Sequence, residues 1–197
     1  MGVKFEGKSY AGNMPVFWRG EAKILPGGYK LLQTFPKGTV IPKGTPLHIV
    51  AGTLTAAVAK HVKVVAGGTT TKPRVPKGTL FQANDIVMKD GETTGATISS
   101  IDASNSDYDV LTLSAAITGL TAGDTLIEAS SLADAKAKYE PNTVVGEDTE
   151  PLAGADQDTV SAAYDAVVLL GYTPELPASW MQGICLKNNP NIIYVKQ

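Results

Sequence analysis

The feature that most constrains this chain is a four-residue turn, Pro-Lys-Gly-Thr, which occurs three times, at 36–39, 42–45 and 76–79. Proline presets φ for the second position of a type I or type II turn, and the glycine two residues later accepts a positive φ at low cost. Threonine and the apolar residues that follow favour a strand. Each copy therefore predicts a tight turn that leads into a β-strand. The irregular spacing indicates a turn used repeatedly and not a solenoid repeat.

Further strands are predicted between and after these turns. Lys60 interrupts an alternating apolar face, and Asp90-Gly91 is a dipeptide typical of β-hairpins. A degenerate fourth copy of the turn and strand lies at 123–129. Short strands separated by turns at such intervals indicate a mainly β fold, a small barrel or sandwich. The strand positions are Leu54, Ala56, Val58, Val62 and Val64, then 86–88, 96–98, 110–113 and 125–127.

The pattern changes after Ala129. Residues 132–139 are rich in Ala and Lys and predict one or two helical turns, and the acidic stretch 141–155 predicts a linker or long loop. Residues 156–170 predict one C-terminal helix, and 192–195 predict a short strand. The helix prediction rests on an i, i+3, i+4, i+7, i+8 apolar face formed by Val160, Ala163, Tyr164, Val167 and Val168.

The predicted elements divide the chain into three segments. Residues 1–34 are an N-terminal extended arm, and residues 35–130 are the β domain. Residues 131–197 are a linker, helix and C-terminal strand that pack on the β domain or on a neighbouring subunit. Because Trp, Met and Arg are enriched at interfaces, the candidate interface residues are aromatic groups in the terminal segments. The alternative for either Trp is ordinary core packing. These candidates are Phe17, Trp18, Arg19, Trp180 and Met181.

Bulk properties exclude several classes of function. A formal charge of −2 without a basic stripe gives no electrostatic reason to expect nucleic acid. No apolar run approaches the ~20 residues of a membrane span, and no secretory signal is visible. The single cysteine, Cys185, forbids an internal disulfide and a cysteine-based zinc site. We therefore expect a chain made in the cytoplasm that binds no membrane, nucleic acid or cofactor.

Three sequence patterns resemble nucleotide-binding, calcium-binding or catalytic motifs, and each also has a simpler structural interpretation. Residues 2–9 match the Walker A spelling, but no strand can precede them and Gly12 and Pro15 follow, so nucleotide binding is not predicted. Asn105, Asp107 and Asp109 resemble the start of an EF-hand loop that lacks its later ligands, which favours a solvated hairpin loop. His48 and His61 read as partly exposed strand residues. No catalytic residues are predicted, because no constellation supplies both a nucleophile and a base.

The turn and strand units also resemble a known family. Residues 41–47, 85–87, 107–113 and 122–129 are similar to the strands of head fibre and auxiliary capsid (decoration) proteins of tailed phages and prophages. The resemblance covers about 35–129. It implies a non-enzymatic virion structural protein that binds the phage major capsid protein on the capsid exterior, commonly as a trimer. Since this chain lacks coiled-coil heptads, a compact decoration module is expected and not a long fibre.

Two other classes remain open. A carbohydrate-binding or adhesion β-domain would present exposed aromatic residues on a plane, and this chain has 7% aromatic residues, mostly dispersed. An enzyme is the third possibility, and His48 and His61 would then be the residues to mutate.

Overall fold

The computed structural model describes residues 22–25, 28–151, 159–170 and 173–196, and the fold in these ranges is mainly β. The described strands form two sheets. The one helix in these described ranges is a short 3-10 helix, Ala178–Trp180. No described helix has the length and apolar character needed to cross a membrane. The prediction of a mainly β fold is therefore confirmed.

The first sheet draws its strands from both ends of the described chain. Its order is β12-β2-β4-β3-β11-β13-β16-β15-β14, and β1 pairs with β13 outside this path. These strands are β1 (Lys23–Ile24), β2 (Tyr29–Leu31), β3 (Pro46–Val50), β4 (Thr55–Val58), β11 (Thr143–Val145), β12 (Thr159–Val160), β13 (Ala162–Leu170), β14 (Met181–Gln182), β15 (Cys185–Leu186) and β16 (Asn189–Lys196).

The second sheet is continuous in sequence. All of its strands lie between His61 and Glu128, in the order β5-β10-β7-β8-β9-β6, with antiparallel pairing throughout. It is therefore an insertion between β4 and β11 of the first sheet. Its strands are β5 (His61–Lys63), β6 (Arg74–Pro76), β7 (Ile86–Lys89), β8 (Gly95–Asp102), β9 (Tyr108–Leu113) and β10 (Thr125–Glu128).

Central strands of both sheets are buried on both faces. In β10, Leu126 packs inside the second sheet, whereas Ile127 packs between the two sheets. In β11, Val144 faces that same inter-sheet cluster and Val145 faces a third cluster within the first sheet. Successive side chains of a strand point to opposite faces, so a strand with two buried faces has a continuous apolar run.

The predicted C-terminal helix is wrong over its described part. Residues 162–170 form β13, the longest strand, which pairs in parallel with β16 and antiparallel with β1 and β11. The sequence of β13 is apolar at most positions because both of its faces pack against protein. A mostly apolar run fits the spacing of a helix as well as that of a strand. The spacing of the apolar residues alone therefore did not distinguish a helix from a strand.

Two further predictions for the C-terminal third are also wrong. The expected linker contains β11, which is fully buried and bonds to β3 and β13 on its two sides. The expected helical turns at 132–139 are irregular structure, tied down by a bridge between Ala129 and Ala137. In both places tertiary pairing overrides the local composition.

The Pro-Lys-Gly-Thr turns are confirmed as turns, with one difference in geometry. Gly38, Gly44 and Gly78 have φ of 85°, 86° and 78°. The amide of Thr45 donates to the carbonyl of Pro42 at 3.1 Å, so proline occupies the first position of the turn and not the second. Only the copy at 42–45 leads directly into a strand, β3, where Pro46 takes the first position that a proline tolerates.

The predicted hairpins and tail strand are confirmed. Val87 pairs with Ala96 across the turn at Asp90-Gly91, where Gly91 has φ of 83°. The strands predicted at 110–113, 125–127 and 192–195 lie within β9, β10 and β16. The predicted alternating face at 54–64 breaks at Lys60, where the chain passes from the first sheet to the second.

Candidate functional site

A crevice of about 390 Å³ lies between the two sheets of the described structure. Two of the repeated turns, 42–45 and 76–79, contribute residues to its wall. The start of β5 and residues 173–175 complete it. Much of the lining is apolar, from Pro46, Val62, Leu80 and Pro174 among others. A volume of this size lies in the range of small-molecule pockets.

Each turn of the wall is fixed by contacts to another part of the chain. In the first, the amide of Lys43 donates to Asp148 Oδ1 at 2.7 Å, and the amide of Gly44 donates to the carbonyl of Val145 at 2.8 Å. In the second, Lys77 Nζ donates to the nearly buried Asp109 at 2.7 Å and to the carbonyl of Ala103 at 2.8 Å. The crevice therefore has a pre-formed wall.

Several lysines of the crevice already have acidic partners. Lys63 pairs with Glu175, and both side chains are largely exposed. Lys60 pairs with Asp85 at 2.7 Å, with side chains that are 3% and 14% exposed. Together with the pair of Lys77 and Asp109, these contacts neutralise the positive charge of three lining lysines. The geometry favours an apolar ligand over a free anion.

Lys60 belongs to a polar group, the junction cluster, in which Lys60 and Glu128 are buried and Lys138 is exposed. The cluster consists of Gln33, Lys60, Asp85, Glu128 and Lys138. Asp85 also accepts from the amide of Gln82 at 2.7 Å, and Lys138 donates to Glu128 at 2.7 Å. Gln33 bonds to the amide and the carbonyl of Val58, at 2.6 and 2.8 Å. These contacts join β4 of the first sheet to the neighbouring β7 and β10 of the second sheet. Buried charges persist only when paired in this way.

His61 lies in the crevice wall with its ring at 68° to that of Trp180 and the centroids 5.3 Å apart. Its Nδ1 is 3.3 Å from the carbonyl of Ala59, and its Nε2 is buried without a hydrogen bond of ordinary geometry. Burial lowers the pKa of His61 to about 4, and the carbonyls of Ala59 and Pro174 oppose that shift. The ring is therefore neutral at pH 7.

This shift predicts a pH dependence of stability. The unfolded chain protonates His61 near its ordinary pKa of 6.5, before the folded chain does near 4. The free energy of unfolding is therefore greatest above pH 6.5 and falls as the pH drops toward 4. Since His61 as a residue retains some exposure, we expect a loss of about 1–2 kcal/mol between pH 7 and pH 5. Urea unfolding at both pH values measures it.

The control uses the second histidine. His48 is half-buried, and its Nδ1 lies 2.7 Å from the carbonyl of Glu140. His48→Phe should keep the loss of stability between pH 7 and pH 5, whereas His61→Phe should abolish most of it. An equal pH dependence in both variants would contradict the assignment to His61.

The polar residues that line the described crevice are mostly lysines and threonines. Among its described lining residues, Glu175 is the one carboxylate, and it is held by Lys63. No described lining residue is Ser or Cys. His61 is the one imidazole there, and its partners are backbone carbonyls and the Trp180 ring. The arrangement is suited to binding a small molecule.

The candidate interface residues fall in two groups. Trp180 is 3% exposed and packs in the inter-sheet cluster, and Met181 is partly buried against the same cluster. In the described fold, Trp180 therefore has the core packing that was the alternative for it. Phe17, Trp18 and Arg19 lie outside the described residues.

The remaining motifs can also be placed. Asn105 and Asp107 lie in the loop between β8 and β9, as the hairpin interpretation requires, and Asp109 is buried in its pair with Lys77. No group of three or more acidic, His or Cys side chains suited to a metal occurs in the described ranges. Cys185 is a partly buried free thiol, and residues 2–9 lie outside the described part.

A second surface feature is the tip of the β3–β4 hairpin. Leu54 is 56% exposed and has φ of 51°, a left-handed conformation that is costly for a side chain with a Cβ. Val50, at the other side of the tip, is 42% exposed. No charged residue occurs from Ile49 to Ala59. An exposed apolar tip held in a strained conformation is typical of a binding surface.

Comparison of this chain with known protein families, curated proteins and solved structures found no match.

Neither surface was predicted from the sequence. The crevice depends on two turns that are far apart in the chain and on Thr173–Glu175, which carry no motif. The recurrence of the turn was the available signal, but it does not reveal that two copies line the same crevice. For the hairpin tip, the uncharged stretch from Ile49 to Ala59 was visible, whereas the positive φ of Leu54 was not.

Proposed function

We propose that this chain is a non-enzymatic virion structural protein that decorates the outside of a phage capsid. Its partner is the major capsid protein, and it acts as a trimer after synthesis in the bacterial cytoplasm. The apolar hairpin tip is the observation that carries the proposal. The mainly β fold and the resemblance of residues 35–129 to head fibre and decoration proteins support it.

The tip of the β3–β4 hairpin has the properties of a rigid docking element. A short hairpin presents Val50 and Leu54 at its end, away from the buried face of the sheet. Burying a leucine side chain in a partner stabilises a complex by about 1.5–3 kcal/mol. Because the hairpin is already folded, little conformational entropy is lost on binding. Trimerisation would multiply this contribution through avidity.

Purified phage particles provide the direct test of this proposed function. We expect the chain to be present in purified virions, and virions from a phage that lacks its gene to lack a surface density in electron micrographs. Light scattering of the purified protein should give the mass of a trimer. Absence of the chain from purified virions would exclude the function, and a stable monomer would exclude the trimer.

A substitution at the tip sharpens this test. Leu54→Asn should weaken binding to capsids by about tenfold, because it removes the apolar anchor. The same variant should fold at least as stably as the parent, since Asn tolerates the left-handed conformation better than Leu. Sedimentation of labelled protein with capsids measures the affinity. Leu32→Asn is the matched control, because Leu32 is 55% exposed but lies outside the hairpin tip, and it should bind as the parent does.

A carbohydrate-binding or adhesion domain is the second candidate, favoured by the crevice. Its apolar walls and threonine hydroxyls suit a small hydroxylated ligand. The larger aromatic residues Phe35, Phe81 and Trp180 are buried and unavailable for stacking on a sugar. A glycan array without hits would remove this candidate.

A further inference from the structure

The junction cluster holds an amine and a carboxyl group in direct contact where little water reaches them. Lys60 Nζ lies 2.7 Å from Asp85 Oδ2, and the two side chains are 3% and 14% exposed. The amine also lies over the ring of Phe35, 5.5 Å from its centroid, and Phe35 is itself 1% exposed. A nucleophilic group and an electrophilic group are thus enclosed together.

A second buried acid, Glu128, lies beside this pair. The register of β10 with β5, and a hydrogen bond of 3.0 Å from the amide of Glu128 to the carbonyl of Lys60, place these two residues directly opposite each other. Opposite residues share a face of the sheet, with Cβ atoms about 4.5–5.5 Å apart. On its other side Glu128 pairs with Val87, two residues after Asp85, so Asp85 lies diagonal to Glu128 on that same face.

Further hydrogen bonds fix the two acids of the cluster. The amide of Gln82 donates to Asp85 Oδ2 at 2.7 Å. Glu128 Oε1 accepts from Lys138 at 2.7 Å, and Glu128 Oε2 lies 3.4 Å from Nε2 of Gln33. The Glu128 side chain is 3% exposed, whereas that of Lys138 is 42% exposed. Amine, carboxyl group and neighbouring acid are therefore positioned by the fold itself.

We propose that Lys60 and Asp85 condense within the folded chain to form an isopeptide bond. A proton first passes from the Lys60 ammonium to the Asp85 carboxylate, which a poorly hydrated site favours because both charges disappear. The neutral amine then attacks Cγ of Asp85, so that an N–C bond forms and a C–O bond breaks. The nitrogen gives up one further proton, the departing hydroxyl takes it, and one water molecule leaves. No oxidant, reductant or other reactant enters the balance.

The neighbouring groups supply what this condensation needs. Glu128 is placed to take the proton from the attacking nitrogen and to deliver it to the departing oxygen. A positioned group of this kind accelerates proton transfer by about 10²–10⁴-fold. The amide of Gln82 stabilises the negative charge that develops on Oδ2 of Asp85 in the tetrahedral intermediate. Because the fold holds amine and carboxyl group in contact, the entropic cost of bringing them together is already met.

The bond would cross-link the entry to the inserted sheet. Lys60 directly precedes β5, and Asp85 directly precedes β7, so the linkage closes the loop 60–85 around β5 and β6. A cross-link of this kind restricts the unfolded chain and so favours the folded state. Its formation requires neither a capsid nor a partner chain, and it is therefore independent of the proposed function.

Intact mass spectrometry of the denatured protein tests for the bond. Most of the parent protein should be lighter than its sequence mass by one water molecule, and trypsin should no longer cut after Lys60. Lys60→Arg keeps a positive charge beside Asp85, but a guanidinium stays protonated and does not condense, so this variant should have its full sequence mass. Removing Lys60 lowers stability whether or not the bond forms, so the mass decides and not the stability.

Lys138→Arg is the matched control. Lys138 and Glu128 make a contact of the same length, 2.7 Å, but the Lys138 side chain is largely exposed. This variant should therefore keep the mass loss of the parent. Glu128→Gln tests the proton transfer: in samples taken at intervals after synthesis, the linked fraction should grow at least about a hundredfold more slowly than in the parent.

Each outcome supports or overturns the linkage. A mass loss in the parent and in Lys138→Arg, but not in Lys60→Arg, supports it, as does a cross-linked tryptic peptide that contains Lys60 and Asp85. A parent with its full sequence mass overturns it. A mass loss that persists in Lys60→Arg also overturns it, because the water then comes from another position such as Asp90-Gly91. Equal rates in Glu128→Gln and the parent overturn the role of Glu128.

Discussion

Lys60→Met is expected to lower the free energy of unfolding by about 3–5 kcal/mol, because it leaves the carboxylate of Asp85 buried without its cation. The amide of Gln82 would remain as a partner of Asp85 but supplies no charge. Lys60 lies at the link between the two sheets, so the loss should weaken their attachment as well. Urea unfolding of the purified variant measures the effect.

Lys63→Met is the matched control, since it makes the same change three residues along the chain. The pair of Lys63 and Glu175 is exposed, with side chains 43% and 52% accessible, and an exposed pair contributes about 0–1 kcal/mol. The double variant Lys60→Met/Asp85→Asn should recover part of the loss, since the remaining group is neutral. Equal losses from Lys60→Met and Lys63→Met would contradict the role given to the junction cluster.

Trp180→Ala is expected to lower the free energy of unfolding by about 3–5 kcal/mol, as for other large buried aromatic residues. Removing the indole also opens the site beside the His61 ring to water. The pKa of His61 should then rise from about 4 toward its ordinary value, because burial is the largest cause of its shift. Unfolding experiments and NMR titration of the His61 ring measure the two effects separately.

Met181→Ala is the control for this substitution. Met181 is only partly buried against the same cluster, so the loss of stability should be smaller and the pKa of His61 should stay low. If Trp180→Ala left the fold stable and affected only partner binding, Trp180 would be an interface residue and not a core residue.

Much of the fold could be predicted from local sequence because its turns are encoded locally. Glycines with positive φ at Gly44, Gly78 and Gly91 mark three turns that the dipeptides and tetrapeptides already indicated. The predictions that failed concern the described residues between 132 and 170. There β13 is buried on both faces, and β11 is a strand of three residues whose partners come from distant parts of the chain. A strand buried on both faces lacks the alternation of apolar and polar residues, and a strand of three residues is too short to show it.

The candidate surfaces were less predictable than the fold. The prediction from sequence favoured aromatic residues in the terminal segments, but Trp180 fills the core between the sheets. The crevice arises from the approach of two turns, and the strain at Leu54 is a backbone property that an ordinary leucine does not reveal. The interruption of the apolar pattern at Lys60 was visible in the sequence, and the pairing of Lys60 with Asp85 explains it.

The insertion of the second sheet within the first has a consequence for synthesis on the ribosome. All strands of the second sheet lie between His61 and Glu128, so they can pair soon after they emerge. In contrast, β2 can pair with β12 only after β12 has been synthesised, and β13 can pair with β16 only after β16 has been synthesised. The inserted sheet can thus fold first and hold the ends of β4 and β11 near each other. Pairings that span most of the chain are slow to form, and this order of assembly shortens the remaining search.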